Sequence, residues 1–210
     1  MDPDTIENNA PLENPAVSLQ DPAAWEQYFG GAATEAGVSV TPTTAMGHPP
    51  LWRAINLISG GVAKLPLDVF RRLPDGAKEK DPTHPAYKLL KKRSSRHIKS
   101  FTLKQTIVSH ALLRGNGYAF IERNNRGEPT QLILLDPDIT FPAMEGADLW
   151  YVTEIRGEQV RIPSTDVFHV KGLGHDGLKG YDVVTLLAEA LSVGIAASRF
   201  GARFFGAGAN

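Results

Sequence analysis

The stretch Gly172–Asn210, GLGHDGLKGYDVVTLLAEALSVGIAASRFGARFFGAGAN, decides how this chain is read. It opens on glycine-punctuated turns and then runs without proline or glycine from Tyr181 to Val193. Asp182 is placed to cap a helix, because its carboxylate can accept from the free amides of the first turn. Gly206 and Gly208 supply the stop, since glycine tolerates the left-handed conformation that ends helices. Between these signals the sequence predicts one helix of about 23 residues, about 35 Å long at the usual rise.

Steps of three and four put Val183, Leu187, Ala190, Gly194, Ala197 or Ser198, Gly201 and Phe205 on one side of it. The small middle of that stripe lets another backbone come close, at a cost in helicity at Gly194 and Gly201. Leu187, Ala190, Gly194, Ala197 and Gly201 are therefore the candidate face for a second copy. Glu189, Ser192, Ala196, Arg199 and Arg203 share another side, with Glu189, Arg199 and Arg203 as its polar members. Leu186, Leu191, Val193, Ile195, Phe200 and Phe204 widen the apolar surface beyond one stripe. Burying a Leu, Val or Phe gains roughly 1.5–3 kcal/mol, so a helix this apolar needs neighbours on several flanks. The sequence stops two or three residues past it, and the expectation is a truncated protein, an oligomer, or both.

A length of 210 residues with 42% hydrophobic and 21% charged residues suits one soluble domain with appendages. A net charge of −1 gives no global basic excess for non-specific nucleic-acid binding. Cysteine is absent, which removes disulfides, thiolate ligands and cysteine nucleophiles together. The acidic, polar N-terminus is not a signal peptide. Glu189, Arg199 and Arg203 interrupt the best candidate for a membrane span, so none is expected.

Residues 1–48 read as a flexible arm, with a short helix at Pro22–Phe29 whose Trp25, Tyr28 and Phe29 fall near one face and contact the chain's own body, with docking on a partner as the alternative. Pro49-Pro50 opens a helix with Leu51, Ile55, Ile58 and Val62 on one face, weakened by Gly60-Gly61 and ended by Pro66. Leu67–Arg72 reads as a strand, PDGAKEK as a loop, and His84-Pro85 as the start of a short helix. The basic run KLLKKRSSRHIKS reads as a solvated helix end and loop, with phosphate contact as the alternative. Ser100 starts a helix ended by Gly115, with Leu103, Ile107, Ala111 and a satisfied, half-buried His110 on one face. YAFIER, TQLILLD, ITFPA, LWYVTEI, EQVRI and DVFHVKG are six strands, spaced closely enough for antiparallel meanders, with NNRG as a hairpin connector. The fold class is α+β: helices plus a twisted antiparallel sheet over 49–180, followed by one long helix over 181–210.

Little supports catalysis. No phosphate-binding loop, dinucleotide fingerprint, nucleophile elbow or HExxH occurs, so neither an enzyme nor a cofactor is expected. Gly115-Asn116-Gly117 reads as a helix stop before a strand, and Asp136 and Asp138 as a turn. His169, His175 and Asp176 form the one metal-like grouping, which would make a metal-dependent hydrolase the enzymatic alternative.

The order of segments resembles the phage portal proteins of the HK97-like family. The resemblance runs from WRAINLISGGVAKLPLDVFRR through DPTHPAYKLL and SFTLKQTIVSHALLRGNGYAFIER with LILLDPDIT to STDVFHVKGLGHDGLKGYDVVTLLAEALSVGIAASRFGARFFGAGAN, about Pro49 to Asn210. Where the family usually has a Ser-Pro helix cap, Tyr181-Asp182-Val183 stand, and Asp182 can cap instead. The resemblance implies a structural protein of the virion: a ring, usually of twelve subunits, at a capsid vertex beside the major capsid protein. It implies double-stranded DNA passing through the centre, terminase large subunit docking during packaging in the host cytoplasm, and head–tail connectors attaching later. It makes 49–180 an outer wing and Val183–Phe205 a first stem helix, in a fragment lacking clip, second stem helix, channel loop and crown. Glu189, Arg199 and Arg203 become the candidate DNA- or partner-facing side. A head–tail adaptor or minor capsid protein is the alternative of the same class.

Overall fold

The computed structural model describes residues 34–174 and 176–208, so the expected helix at Pro22–Phe29 and the side chain of His175 lie outside the described residues. A first turn, α1 (Pro42–Met46), starts on a capping box in which Thr41 and Thr44 exchange side-chain and backbone bonds. The next helix, α2 (Pro49–Lys64), enters on two prolines and ends at Leu65, in extended conformation before Pro66. It runs through Gly60-Gly61 without a break. Its buried residues are Ile55, Ser59 and Ala63, while Ile58 and Val62, expected inside with Leu51 and Ile55, are exposed. The helix is rotated toward its small side. A Cβ on Gly60 would lie 3.9 Å from the Gln105 amide of the neighbouring helix, and that amide donates to Asn56 at 3.4 Å.

Strands β1 (Phe70–Arg72) and β2 (Lys78–Lys80) form an exposed hairpin around Gly76, which has a positive φ of 84°. Sequence reading placed Lys78–Lys80 in a loop, because Lys-Glu-Lys has no apolar face to signal a strand. Helix α3 (Pro85–Lys91) is capped by His84 Nδ1, which accepts from the Ala86 amide at 3.1 Å. Helix α4 (Ser100–Arg114) buries Leu103, Ile107 and Ala111 and ends on left-handed Gly115.

Six strands follow as expected: β3 (Asn116–Arg123), β4 (Pro129–Leu135), β5 (Phe141–Glu145), β6 (Asp148–Ile155), β7 (Glu158–Pro163) and β8 (Val167–Lys171). The β3–β4 connector is closed by Asn124, whose side chain accepts from the amides of Arg126 and Glu128. The pairing is antiparallel throughout, but the strands divide into two three-stranded sheets, ordered β4-β3-β8 and β5-β6-β7. This corrects the expected single meandering sheet. The last strand crosses back to pair with β3, Asn116 opposite Lys171, so β3 becomes central.

Alternation along β3 then explains the layering. Ala119 faces a core with Leu89, Leu103, Ile107 and Leu132. Tyr118 faces another with Tyr151, Ile162 and Val167 from the second sheet and the returning strand. Helices, first sheet and second sheet thus stack through one strand.

At the C-terminal end Asp182 accepts from the Thr185 amide at 3.0 Å, as its sequence position predicts. The helix it caps, α5 (Val183–Leu186), ends at Leu187, with φ −100° and ψ 12°, and α6 (Ala188–Gly206) begins beyond it. The single uninterrupted helix of the sequence reading is therefore a short capped helix followed by a long one.

Candidate functional site

The long helix is seated by a junction built from Gly-Asn-Gly. Gly115 and Gly180 approach so closely that a Cβ on Gly115 would meet the Tyr181 carbonyl oxygen at 2.0 Å. One on Gly180 would meet the Gly115 carbonyl oxygen at the same distance. Between them Asn116, only 3% exposed, grips Gly180 from both sides. Its Nδ2 donates to the Gly180 carbonyl at 3.0 Å and its Oδ1 accepts from the Gly180 amide at 2.8 Å.

His169 Nε2 lies 3.1 Å from the same Oδ1, and its Nδ1 lies 3.0 Å from the Tyr151 hydroxyl. Because Oδ1 can only accept, Nε2 carries the proton and Nδ1 accepts from Tyr151. The imidazole must be neutral to do both. Burial, helped by nearby Lys171, pushes its pKa down to about 4. Tyr118 packs on the ring at 4.4 Å between centroids, and burial pushes the phenol pKa values of Tyr118 and Tyr151 up. A buried polar chain thus runs from the second sheet through His169 and Asn116 to the start of the terminal helices.

A second tie is Arg114, at the end of α4. It pairs with Asp138 at 2.5 Å and with the cap residue Asp182 at 3.6 Å. Asp136 accepts from the Asp138 amide at 3.0 Å, so DPD is the expected turn and also an anchor. Burial raises the pKa of Asp138 despite the guanidinium beside it. His110 is half-buried as expected, but its Nδ1 has no hydrogen-bond partner, which corrects the expectation of a satisfied side chain; burial lowers its pKa.

Beyond the junction the faces of α6 diverge. Val184, Ala188 and Ile195 pack on Val38, Val40 and Ala45, with Leu51 and Leu113 alongside. Ser192, fully buried, donates to the Glu189 carbonyl. Of the candidate packing face, Leu187, Ala190 and Ala197 are exposed. Gly194 lies under the His48 ring of the same chain, where a Cβ would stand 2.9 Å from Cε1, whereas Gly201 faces open space. On the polar side, Arg199 and Arg203 are exposed, and exposed Glu189 accepts from the Glu35 amide at 3.3 Å. After Ile195 no helix residue is buried: Phe200 is 72% and Phe205 76% exposed, and Phe204 stacks between them.

The sequence profile of the phage portal proteins matches residues 49–210. The chain belongs to the phage portal protein family. It is 28% identical to the portal protein of Enterobacteria phage HK97 over 160 residues, 76% of this chain and 38% of that one. It is 26% identical to the probable portal protein of Streptomyces phage phiC31, over 93% of this chain and 46% of the other. The chain thus spans less than half the length of these curated relatives. Its fold matches a chain in the neck of an empty gene transfer agent particle, at TM-score 0.64 and 24% identity, over 78% of this chain and 46% of that one. An HK97-family portal protein from Corynebacterium diphtheriae matches at TM-score 0.54 and 19% identity, over 79% and 49%.

Of the metal-like grouping in this portal chain, the side chain of His175 lies outside the described residues, and the other two members are committed elsewhere. Both nitrogens of His169 are engaged in the junction, and Asp176 accepts from the Leu178 and Lys179 amides in its own loop. Among the described residues no group of three His, Cys, Asp or Glu side chains could hold a metal ion, and no helix is long and apolar enough to cross a membrane. Sequence reasoning missed Asn116 and Arg114. The signal was an asparagine between two glycines, but its partner at Gly180 lies 64 residues away.

Proposed function

We propose that this portal-family chain is one subunit of a ring that conducts double-stranded DNA into and out of a capsid at one vertex. Residues 49–180 form its wing and residues 181–210 the start of its stem; residues 1–48 are an arm. Terminase docks on the assembled ring during packaging, and head–tail connectors replace it. The chain provides position and passage, and no side chain is assigned a catalytic step. The uncovered distal half of α6 carries this reading. Leaving Phe200, Phe204 and Phe205 in water forgoes roughly 1.5–3 kcal/mol each, and closed rotational symmetry recovers it by setting the same helix beside a sister copy. The exposed sides bearing Leu187, Ala190, Ala197 and Gly201 then face neighbours. Glu189, Arg199 and Arg203, of mixed sign, face the duplex or a partner without holding it.

Gly201 is a cleaner probe of the neighbour than Gly194, which sits under the chain's own His48. In the full-length protein, Gly201→Trp and Phe200→Asp should lower the fraction of rings in native mass spectra and leave the thermal transition of the single chain unchanged. Intact rings from both variants would remove α6 from the interface.

A further inference from the structure

We propose that the acidic N-terminal arm, residues 1–33, of one copy docks on the basic, grooved surface made by α3, the 92–99 loop and the β3–β4 hairpin of a neighbouring copy. The inference rests on the ring reading above, because it needs copies side by side. Its first support is charge. Residues 1–33 contain six acids (Asp2, Asp4, Glu7, Glu13, Asp21, Glu26) and no Lys, Arg or His. Residues 88–99 contain six bases (Lys88, Lys91, Lys92, Arg93, Arg96, Lys99) and no acid, in a chain whose net charge is only −1. All six bases are exposed. Among the described residues Lys91 alone of the six pairs with a carboxylate, that of Asp68. Complementary patches of this kind set register and partner choice.

The second support is shape. Arg93, Arg96, Arg123, Ser95, Gln131 and Glu122 line a polar hollow of about 560 Å³, in which the Glu122 carboxylate already accepts from the Gln131 amide. Beside it, across Arg123, lies a groove of about 670 Å³ lined by apolar residues that include Leu67, Leu90, Ile121, Pro129 and Phe168. A duplex would satisfy the cations and leave this groove empty. The arm brings both chemistries: Trp25, Tyr28 and Phe29 recur at helical spacing, with Asp21 and Glu26 beside them. Aromatic side chains are the usual anchors of such grooves.

The third support is reach. Thr34–Val40 runs into the cluster beside Leu113 at the end of α4, whereas Leu89 of the groove packs with Leu103 near its start. Those ends are about 15 Å apart along the axis, and the groove opens one helix diameter further, about 8–10 Å to the side. The five Cα steps from Phe29 to Thr34 extend at most about 18 Å, so the chain's own arm spans that diagonal only when fully stretched. A sister copy's arm meets no such limit.

The chain has no cysteine, so single thiols report cleanly. Tyr28→Cys and Leu67→Cys chains, each full length, are mixed and treated with a short bis-maleimide. The expected product has twice the chain mass on a denaturing gel and requires both variants. Charge reversal of Lys92, Arg93 and Arg96 to Glu should cut its yield by about tenfold, and Asp21→Lys with Glu26→Lys should restore it. Crosslinking confined to the double variant, at single-chain mass, overturns the docking between copies. So does the absence of crosslinks together with binding of a duplex of about 30 base pairs that the triple variant loses. Native mass spectra of the same samples separate the two readings. Rings without crosslinks sink the arm and leave the ring; crosslinked pairs without rings do the reverse; monomers without crosslinks sink both.

Discussion

The two halves of the C-terminal helical region have similar composition and opposite surroundings. From Val184 to Ile195 the apolar side is filled by the chain itself, through Val38, Val40 and Ala45. From Ala196 to Gly206 phenylalanines stand in water at 72% and 76% exposure. The first half is over-determined: the Gly115–Gly180 approach, the Asn116 clasp, Arg114 bridging Asp138 and Asp182, and Ser192 closed off completely. In the second half only Ala196 still touches the cluster of Val38, Val40 and Ala45. The rest is held by helix hydrogen bonds, the Ser198 hydroxyl on the Gly194 carbonyl and contacts among the three phenylalanine rings. Rigid seating at one end and an uncovered surface at the other are what a subunit that presents a helix to its neighbours requires.

The sharpest way to break this contrast is at the seat. Gly115→Ala adds a Cβ 2.0 Å from a carbonyl oxygen at a φ of +73°, and the two effects together should cost about 3–5 kcal/mol. Urea unfolding of the variant should show this loss, and a near-wild-type midpoint would mean that the junction can open freely. Next in size is Ile195→Ala, the last buried position of the helix, for which about 2–4 kcal/mol is expected by the same measurement.

A smaller effect tests the neutral state of His169. Its folded pKa near 4 lies below the ordinary value of 6.5, so the unfolded chain binds more protons between those limits. The contribution of this residue is complete above pH 6.5 and is lost as pH falls through 4. Wild-type stability should therefore drop more steeply over that window than that of His169→Gln. Parallel curves would remove the imidazole from the chain linking Tyr151 to Asn116. The smallest effect is the most telling: Phe200→Ser should change single-chain stability by less than about 0.5 kcal/mol. A loss comparable to that of Ile195→Ala would show that the distal half is packed in solution after all.

Much of this architecture was legible along the chain because its signals are local. Asp182 as cap, Gly115 as helix end, Pro66 as terminator and Asn124–Gly127 as a hairpin each act within a few residues. The six central strands follow from period-two runs between turn residues. The errors arose where the deciding partner was remote. Ile58 and Val62 fit the apolar face of α2, yet close approach to α4 favoured Ser59 and Ala63. Asn116 read as part of a stop until Gly180 came beside it, and the buried role of His169, named only within the metal-like alternative, emerged when Tyr151 and Asn116 took both nitrogens.

By itself the sequence determined the α+β class, the order of elements, the capped start of the terminal helices and the order of segments that marks the portal family. Periodicity and capping operate over one or two turns, and the residues that express them are adjacent in the chain. Tertiary structure alone decided that β8 returns to β3, that the strands form two sheets, and that α6 is buried in one half only. Those outcomes depend on which surfaces meet across 50 residues or more, where closure entropy, packing volume and the satisfaction of buried polar groups choose among pairings that local pattern leaves equal.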